Sequence, residues 1–171
     1  RKRLALEQLA EMVAIQAKMK ASSKELKVLV LARGSHLMDL TGVGPVVALT
    51  MRAAVDDPER FHSSKDIGPW AGLTPRRTQS GGRDVVGQIT RAGDAALRTA
   101  LYQAANAVLC RSAQSWLKAW ALRVAARRGK KRATVALARR IGVVLHRMWR
   151  DGTEFRFTRE EAMAAMTPRA A

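Results

Sequence analysis

Apolar residues recur every three or four positions along most of this chain, and one stretch, Thr74 to Gly93, breaks the pattern. From Ala5 to Leu29 the steps run Ala5, Gln8, Met12, Ile15, Met19, Ser22, Leu26 and Leu29, with Glu and Lys between them. Spacing of this kind returns a side chain to the same side once per helical turn, so the segment reads as a coiled-coil-like helix. Gln8 and Ser22 interrupt the stripe, which predicts a helix packed on a partner, a second copy of the chain included, rather than a strong zipper. The same period resumes at Asp94 with Leu97, Leu101, Ala104, Ala105 and Val108 on one face. Further helices follow near Ser112 to Arg127 and Arg132 to Arg150, and a short one is expected from Glu160 to Met166.

Between the two periodic regions the chain is punctuated. Ser35 to Val55 reads as a short helix, a tight hairpin at Thr41-Gly42-Val43-Gly44-Pro45 and a second helix from Val46. Proline at a first helical position suits such a start, because its missing amide would have been unpaired there. Asp56-Asp57-Pro58 ends that helix, and Ser63 with Asp66 predicts a capping box for a helix over Ser64 to Leu73, with Trp70 and Leu73 facing the core. The aperiodic stretch Thr74 to Gly93, rich in glycine and arginine, is expected to be a long loop that admits a short hairpin around Gly81-Gly82. The fold class is mainly α. The expected division is a coiled-coil-like helix over 1–34, a compact helical domain over 35–157 and a tail over 158–171.

The charge is one-sided. Lys and Arg number 31 against 14 Asp and Glu, a net charge of +17, and between Ala95 and Arg150 there is no acidic residue at all. Solvated faces ordinarily mix signs, so this half reads as an electrostatic footprint for nucleic acid. Trp116, Trp120 and Trp149 lie among these cations and suit the core better than base stacking. A membrane is the competing anion, but no apolar run approaches the roughly 18 to 20 residues of a spanning helix. The first residues, Arg-Lys-Arg-Leu, lead into no signal-like apolar region. Cytoplasmic residence in a prokaryotic cell, at the nucleoid, is the expectation. A first residue other than Met suggests a processed chain or a piece of a longer one. Cys110 is the sole cysteine, set in an apolar run that predicts a buried, inert thiol.

Two segments carry candidate chemistry. Leu40 to Pro45 resembles the helix-hairpin-helix motif of non-specific DNA-binding proteins. Glycines let backbone approach a phosphate, and unpaired amides at the next helix start bind it without reading sequence. Gly42, Val43 and Gly44 are the candidates, against the alternative of an ordinary tight turn. In the aperiodic stretch, Ser80 stands among Arg76, Arg77, Gly81, Gly82 and Arg83. Its hydroxyl can meet a phosphodiester while the arginines stabilise charge on the phosphorus oxygens, although Ser-Gly-Gly is also a common turn. Arg91 and Arg98 flank the start of the Asp94 helix, where Arg91 suits a phosphate and Arg98 either a phosphate or Asp94. Tyr102, mid-helix, reads as structural. His36, His62 and His146 are scattered without metal-ligand spacing, and no metal site is expected in this chain.

Six blocks occur in order: Leu40-Thr-Gly-Val-Gly-Pro, Asp57-Pro-Glu-Arg-Phe61, Ala71-Gly-Leu-Thr-Pro75, Ser80-Gly-Gly82, Gly87-Gln-Ile-Thr-Arg-Ala-Gly-Asp94 and Leu97-Arg98. Together, over Leu37 to about Ala105, they resemble the C-terminal domain of the insertion-sequence transposase family called IS-one-ten, also IS-one-sixteen or IS-nine-oh-two. The resemblance implies a DNA recombinase in which Ser80 attacks the scissile phosphate and forms a phosphoserine link. It also implies an RNase H-like domain carrying acidic residues and Mg²⁺, absent from these residues, and in some members a structured guide RNA. It further implies dimeric to tetrameric assembly helped by the N-terminal helix. Without the acidic domain this chain alone is expected to bind nucleic acid and cut it poorly. A non-catalytic DNA- or RNA-binding module is the alternative.

Overall fold

The computed structural model describes residues 2–111, 114–158 and 160. Helices dominate it, as the period demands: α1 (Lys2–Gly34), α2 (Pro45–Val55), α3 (Ile67–Trp70), α4 (Ala95–Cys110), α5 (Trp116–Arg128) and α6 (Lys130–Asp151). Short 3₁₀ turns at Ser35–Asp39, Pro58–Arg60 and Ser64–Asp66 join them. The helix expected at Glu160 to Met166 lies almost wholly outside the described residues.

The core forms where apolar faces meet. Leu97, Leu101, Ala104, Ala105 and Val108 of α4 are all buried, as their spacing predicts. Against them lie Leu137, Ala138, Ile141 and Leu145 of α6 and Val47, Ala48, Met51 and Val55 of α2. Gly142 permits this closeness, because a methyl group there would stand 3.1 Å from both Ile67 and Leu101 side-chain carbons. Asp94 starts α4 by accepting from the Leu97 amide at 2.7 Å, and Ser115 starts α5 through the Lys118 amide. The chain after α6 returns to the start of α5, where the Trp116 amide donates to Phe157 O and its indole N–H donates to Arg156 O.

His146 is fully buried on α6 and ties that helix to the 3₁₀ turns. A carbonyl can only accept, so Nε2–H donates to Pro58 O at 3.0 Å. Nδ1 is then left to accept from the Ser64 hydroxyl at 2.9 Å. Burial holds its pKa below the usual histidine value.

Several expectations change. The Ser63–Asp66 capping box forms, but Ser64–Asp66 is 3₁₀ and the following α-helix stops at Trp70 rather than Leu73, where Gly72 turns the backbone left-handed at φ 65°. Leu73 is buried, whereas Trp70 remains 39% exposed and packs edge-on against Phe61, with Arg60 over its ring. Cys110 is exposed, because the last turn of α4 runs past the core. The apolar residues of α1 are not confined to one stripe. Leu6, Leu9 and Val13 form a second line beside Met12, Ile15 and Met19, all exposed, and only Val30 near the C-terminal end is buried. Most of Thr74 to Gly93 is ordered as a two-stranded antiparallel hairpin, β1 (Pro75–Ser80) and β2 (Arg83–Ile89).

Candidate nucleic-acid interface

The hairpin stands on a seam of backbone bonds. Leu73 N–H donates to Gly68 O, Thr90 N–H to Thr74 O, Arg91 N–H to Gly72 O and Asp94 N–H to Trp70 O. Side chains are excluded here. A Cβ on Gly93 (φ +109°) would fall 1.9 Å from Trp70 O, and one on Gly72 (φ +65°) would fall 2.2 Å from Ala92 O. Both glycines also hold backbone conformations that L-residues rarely adopt. Arg91 takes a left-handed φ of 55° beside them, an uncommon state for a residue with a side chain. Arg98 joins the same seam. Its guanidinium donates to Ala71 O at 3.0 Å.

From that base the arm projects with every strand residue exposed except half-buried Ile89. Gly81-Gly82 forms a two-residue turn, with Gly81 at φ 54°, the positive value that hairpin turns of this length require of their first central residue. Cross-strand partners share a face of a ribbon, and alternate residues change faces. Ser80 is paired with Arg83, and Thr78 with Val85. Those residues, with Arg76 two positions before Thr78, share one face. Arg77 and Asp84 share the other, where the guanidinium Nε donates to the carboxylate at 2.8 Å and a second guanidinium nitrogen donates alongside. That pair holds the Asp84 pKa below the ordinary carboxylate value and raises that of Arg77.

The structure therefore divides the arginines read together in the sequence. Arg83 lies opposite Ser80 at the tip. Arg76 donates to Thr90 O at 3.4 Å at the base, and with Arg91, Thr78, Val85 and Gly87 it lines an open hollow of about 510 Å³. Arg76 stands four strand steps from Ser80, about 13 Å between backbones at about 3.3 Å per residue, and its guanidinium turns to the base of the ribbon rather than to the tip. Arg77 faces away from Ser80 and is held by Asp84. The Ser80 hydroxyl is exposed and makes no hydrogen bond among the described residues.

The Leu40–Pro45 turn is occupied differently from the sequence reading. Its leading element is a 3₁₀ turn, the Val43 amide donates to Leu40 O at 2.9 Å, and the Val43 side chain is buried. Gly42 (φ +96°) is pressed against α4, where a Cβ would lie 2.8 Å from Ala104 O. Gly44 alone borders open space, at the cap position of α2 ahead of Pro45. Gly42 and Val43 thus serve the join between α2 and α4. Among the described residues no group of three or more His, Cys, Asp or Glu is placed to hold a metal ion.

Sequence reasoning passed over Gly72 and Gly93. The signal was their placement at either end of the aperiodic stretch, with Gly81-Gly82 between them. Half-buried Trp116 and Trp120 both lie beneath Arg140, at 5.1 and 4.4 Å from its guanidinium carbon. Arg52 covers Trp149 at 4.5 Å.

The site is an exposed serine and arginine carried at the tip of a glycine-jointed ribbon on a helical domain. Comparison with known proteins identifies the family: residues 34–121 match the model of the transposase IS116/IS110/IS902 family, and the chain belongs to that family. It is 32% identical over 133 residues to a transposase of Sinorhizobium fredii, covering 76% of this chain and 34% of that protein. It is 37% identical over 109 residues to the transposase for insertion sequence element IS1111A of Coxiella burnetii, covering 60% of this chain and 29% of that protein. A family 20 transposase of Pseudomonas aeruginosa is 32% identical over 116 residues, 67% of this chain and 34% of that protein. The chain spans about a third of the length of these relatives. No helix among the described residues is long and apolar enough to cross a membrane.

Proposed function

We propose that this chain is the DNA-binding and serine-bearing part of a transposase, in which Ser80 is the nucleophile for strand cleavage. The observation that carries the reading is the placement of Ser80 at the exposed tip of a rigidly based arm, with Arg83 directly across from it. In the step proposed, Ser80 Oγ bonds to phosphorus, the phosphorus–oxygen bond to the departing strand breaks, and the hydroxyl proton passes to a base while the departing oxygen gains a proton. Arg83 supplies the positive charge nearest to that phosphorus. Arg76 and Arg91 hold the same backbone farther along, toward the base of the ribbon. Arg77 keeps the ribbon straight through Asp84, and Arg98 keeps its base closed. No carboxylate or imidazole shares the Ser80 face of the ribbon, so the ribbon itself does not supply the base. Cleavage by this chain alone is therefore expected to be poor. The doubly lined apolar surface of α1 supports its use in joining copies of the protein or docking a further domain.

The test is a covalent trap. The transposase containing this chain is incubated with Mg²⁺ and cognate element DNA, denatured, and examined for protein bound to labelled DNA. The native protein yields an adduct that alkaline elimination at serine releases, and Ser80→Ala yields none. An adduct persisting in Ser80→Ala removes Ser80 from the chemistry. No adduct from either protein favours a binding module without chemistry.

A further inference from the structure

The cations of α5 and α6 divide into two groups. Lys118 is buried with its ammonium on Arg111 O, Arg140 covers two tryptophans, and Arg147 and Arg150 pair with Asp151. Arg123, Arg127, Arg128, Lys130, Lys131 and Arg132 are exposed, and none forms an ion pair among the described residues. All but Arg123 lie within three residues of Gly129, where α5 ends and α6 begins, and one further exposed cation without an ion pair, Arg139, stands farther along α6, so the antiparallel pair concentrates its unpaired charge at one corner.

That placement works against the fold. Arg127 and Arg128 suit the negative end of α5, but Lys130, Lys131 and Arg132 stand in the first turn of α6, at the positive end of its dipole and beside one another. The first turn of α6 contains no acidic residue and its cap makes no side-chain hydrogen bond, so nothing in the helix offsets the repulsion. An arrangement that folding disfavours is retained readily when a polyanion completes it. From Arg123 to Arg132 there is no aromatic residue to stack on a base and no amide or hydroxyl side chain to read one. The chemistry offered is charge alone.

We infer that the α5–α6 corner is a second nucleic-acid contact, separate from the arm, which grips the phosphate backbone of duplex DNA without reading its sequence. It goes beyond the serine chemistry proposed above and does not depend on it. A chain with two such surfaces holds the backbone at one place while the arm works at another.

The experiment measures binding of the 171-residue chain to a labelled duplex of arbitrary sequence across a salt series. Two proteins are compared with the native chain: Lys130→Gln/Lys131→Gln/Arg132→Gln and the equal-charge control Lys18→Gln/Lys20→Gln/Lys24→Gln on α1. Circular dichroism melts confirm that each is folded, and the exposed positions make this the expected result. The corner variant is expected to lose about ten- to a hundred-fold in affinity near 0.1 M salt, and its salt slope to fall by about two to three, close to 0.9 per lost phosphate contact. The control is expected to lose less than about three-fold, because it removes no phosphate contact at the corner. Equal losses in the corner and control variants mean diffuse attraction by net charge and overturn the inference. An unchanged slope in the corner variant does the same. If duplex RNA competes far better than DNA for the native chain but not for the corner variant, the corner serves RNA and the assignment to DNA falls. Loss of the covalent adduct in Ser80→Ala bears on the arm alone, so the two readings fail separately.

Discussion

The packed helices and the arm hold their residues for different reasons. Leu101 and Ile141 are completely enclosed, and the space beside them admits a glycine at 142 and little more. In β1 and β2 every strand side chain but one is exposed, so packing dictates almost none of their identities. A two-stranded ribbon is marginal in water by itself. This one depends on the seam at its base. In the helices a substitution is felt as lost stability, whereas at the tip of the arm the role proposed for Ser80 predicts lost chemistry with the fold intact, and the glycine seam marks the border between the two.

Mutations along that border break or sharpen the contrast. Gly93→Ala has the largest expected effect, because the methyl group collides with backbone and the conformation is one alanine rarely adopts. A loss of about 3 kcal/mol or more in urea denaturation is expected, and a loss below about 1 kcal/mol means that the seam is soft and the arm is not rigidly based. Leu101→Ala should lower stability by about 2–5 kcal/mol through the cavity it leaves.

His146→Gln is expected to lose about 1–2 kcal/mol near neutral pH, because Ser64 and Pro58 lose partners held by the ring. Burial depresses the His146 pKa, so the unfolded chain binds the proton more readily than the folded one. Its contribution is therefore intact above the unfolded value near 6.5 and is lost as pH falls below that, until the lower folded value is passed. Thermal melts should show the native chain weakening between about pH 7 and pH 5 and His146→Gln weakening less over the same span. Parallel curves would show that the imidazole does not set the acid response.

Ser80→Ala closes the series with the smallest effect on folding, within about 0.5 kcal/mol of the native chain, while the covalent trap reads zero. A destabilisation above about 1 kcal/mol would mean that Ser80 braces the ribbon and that the contrast between arm and helices is overstated.

Much of the helical part was legible because burial acts through spacing. The α4 positions named from the period are all enclosed, Pro45 begins α2, and the Ser63 box forms where its residues predict. The exceptions have local causes. Gly72, in a left-handed conformation, ends α3 early, and Trp70 finds Phe61 and Arg60 instead of the interior. The arm was harder to read because strand alternation depends on one side being buried, and here neither side is. Its glycines suggested flexibility, although two of them hold left-handed or crowded positions in an ordered seam. Grouping Arg76, Arg77 and Arg83 about Ser80 followed nearness in sequence. Pleating and the turn place only Arg83 opposite the serine. At Leu40–Pro45 the glycine signal was genuine, but Gly42 answers to α4.

The seating of α1 has a mechanical corollary. From Lys2 to Val30, its enclosed anchor, the helix rises about 42 Å at about 1.5 Å per residue. A tilt of about 10° at that pivot swings the distant end through about 7 Å. Whatever clasps the outer turns thus acts on the domain as a hand acts on a long lever, converting slight rotation at the hub into broad travel at the rim.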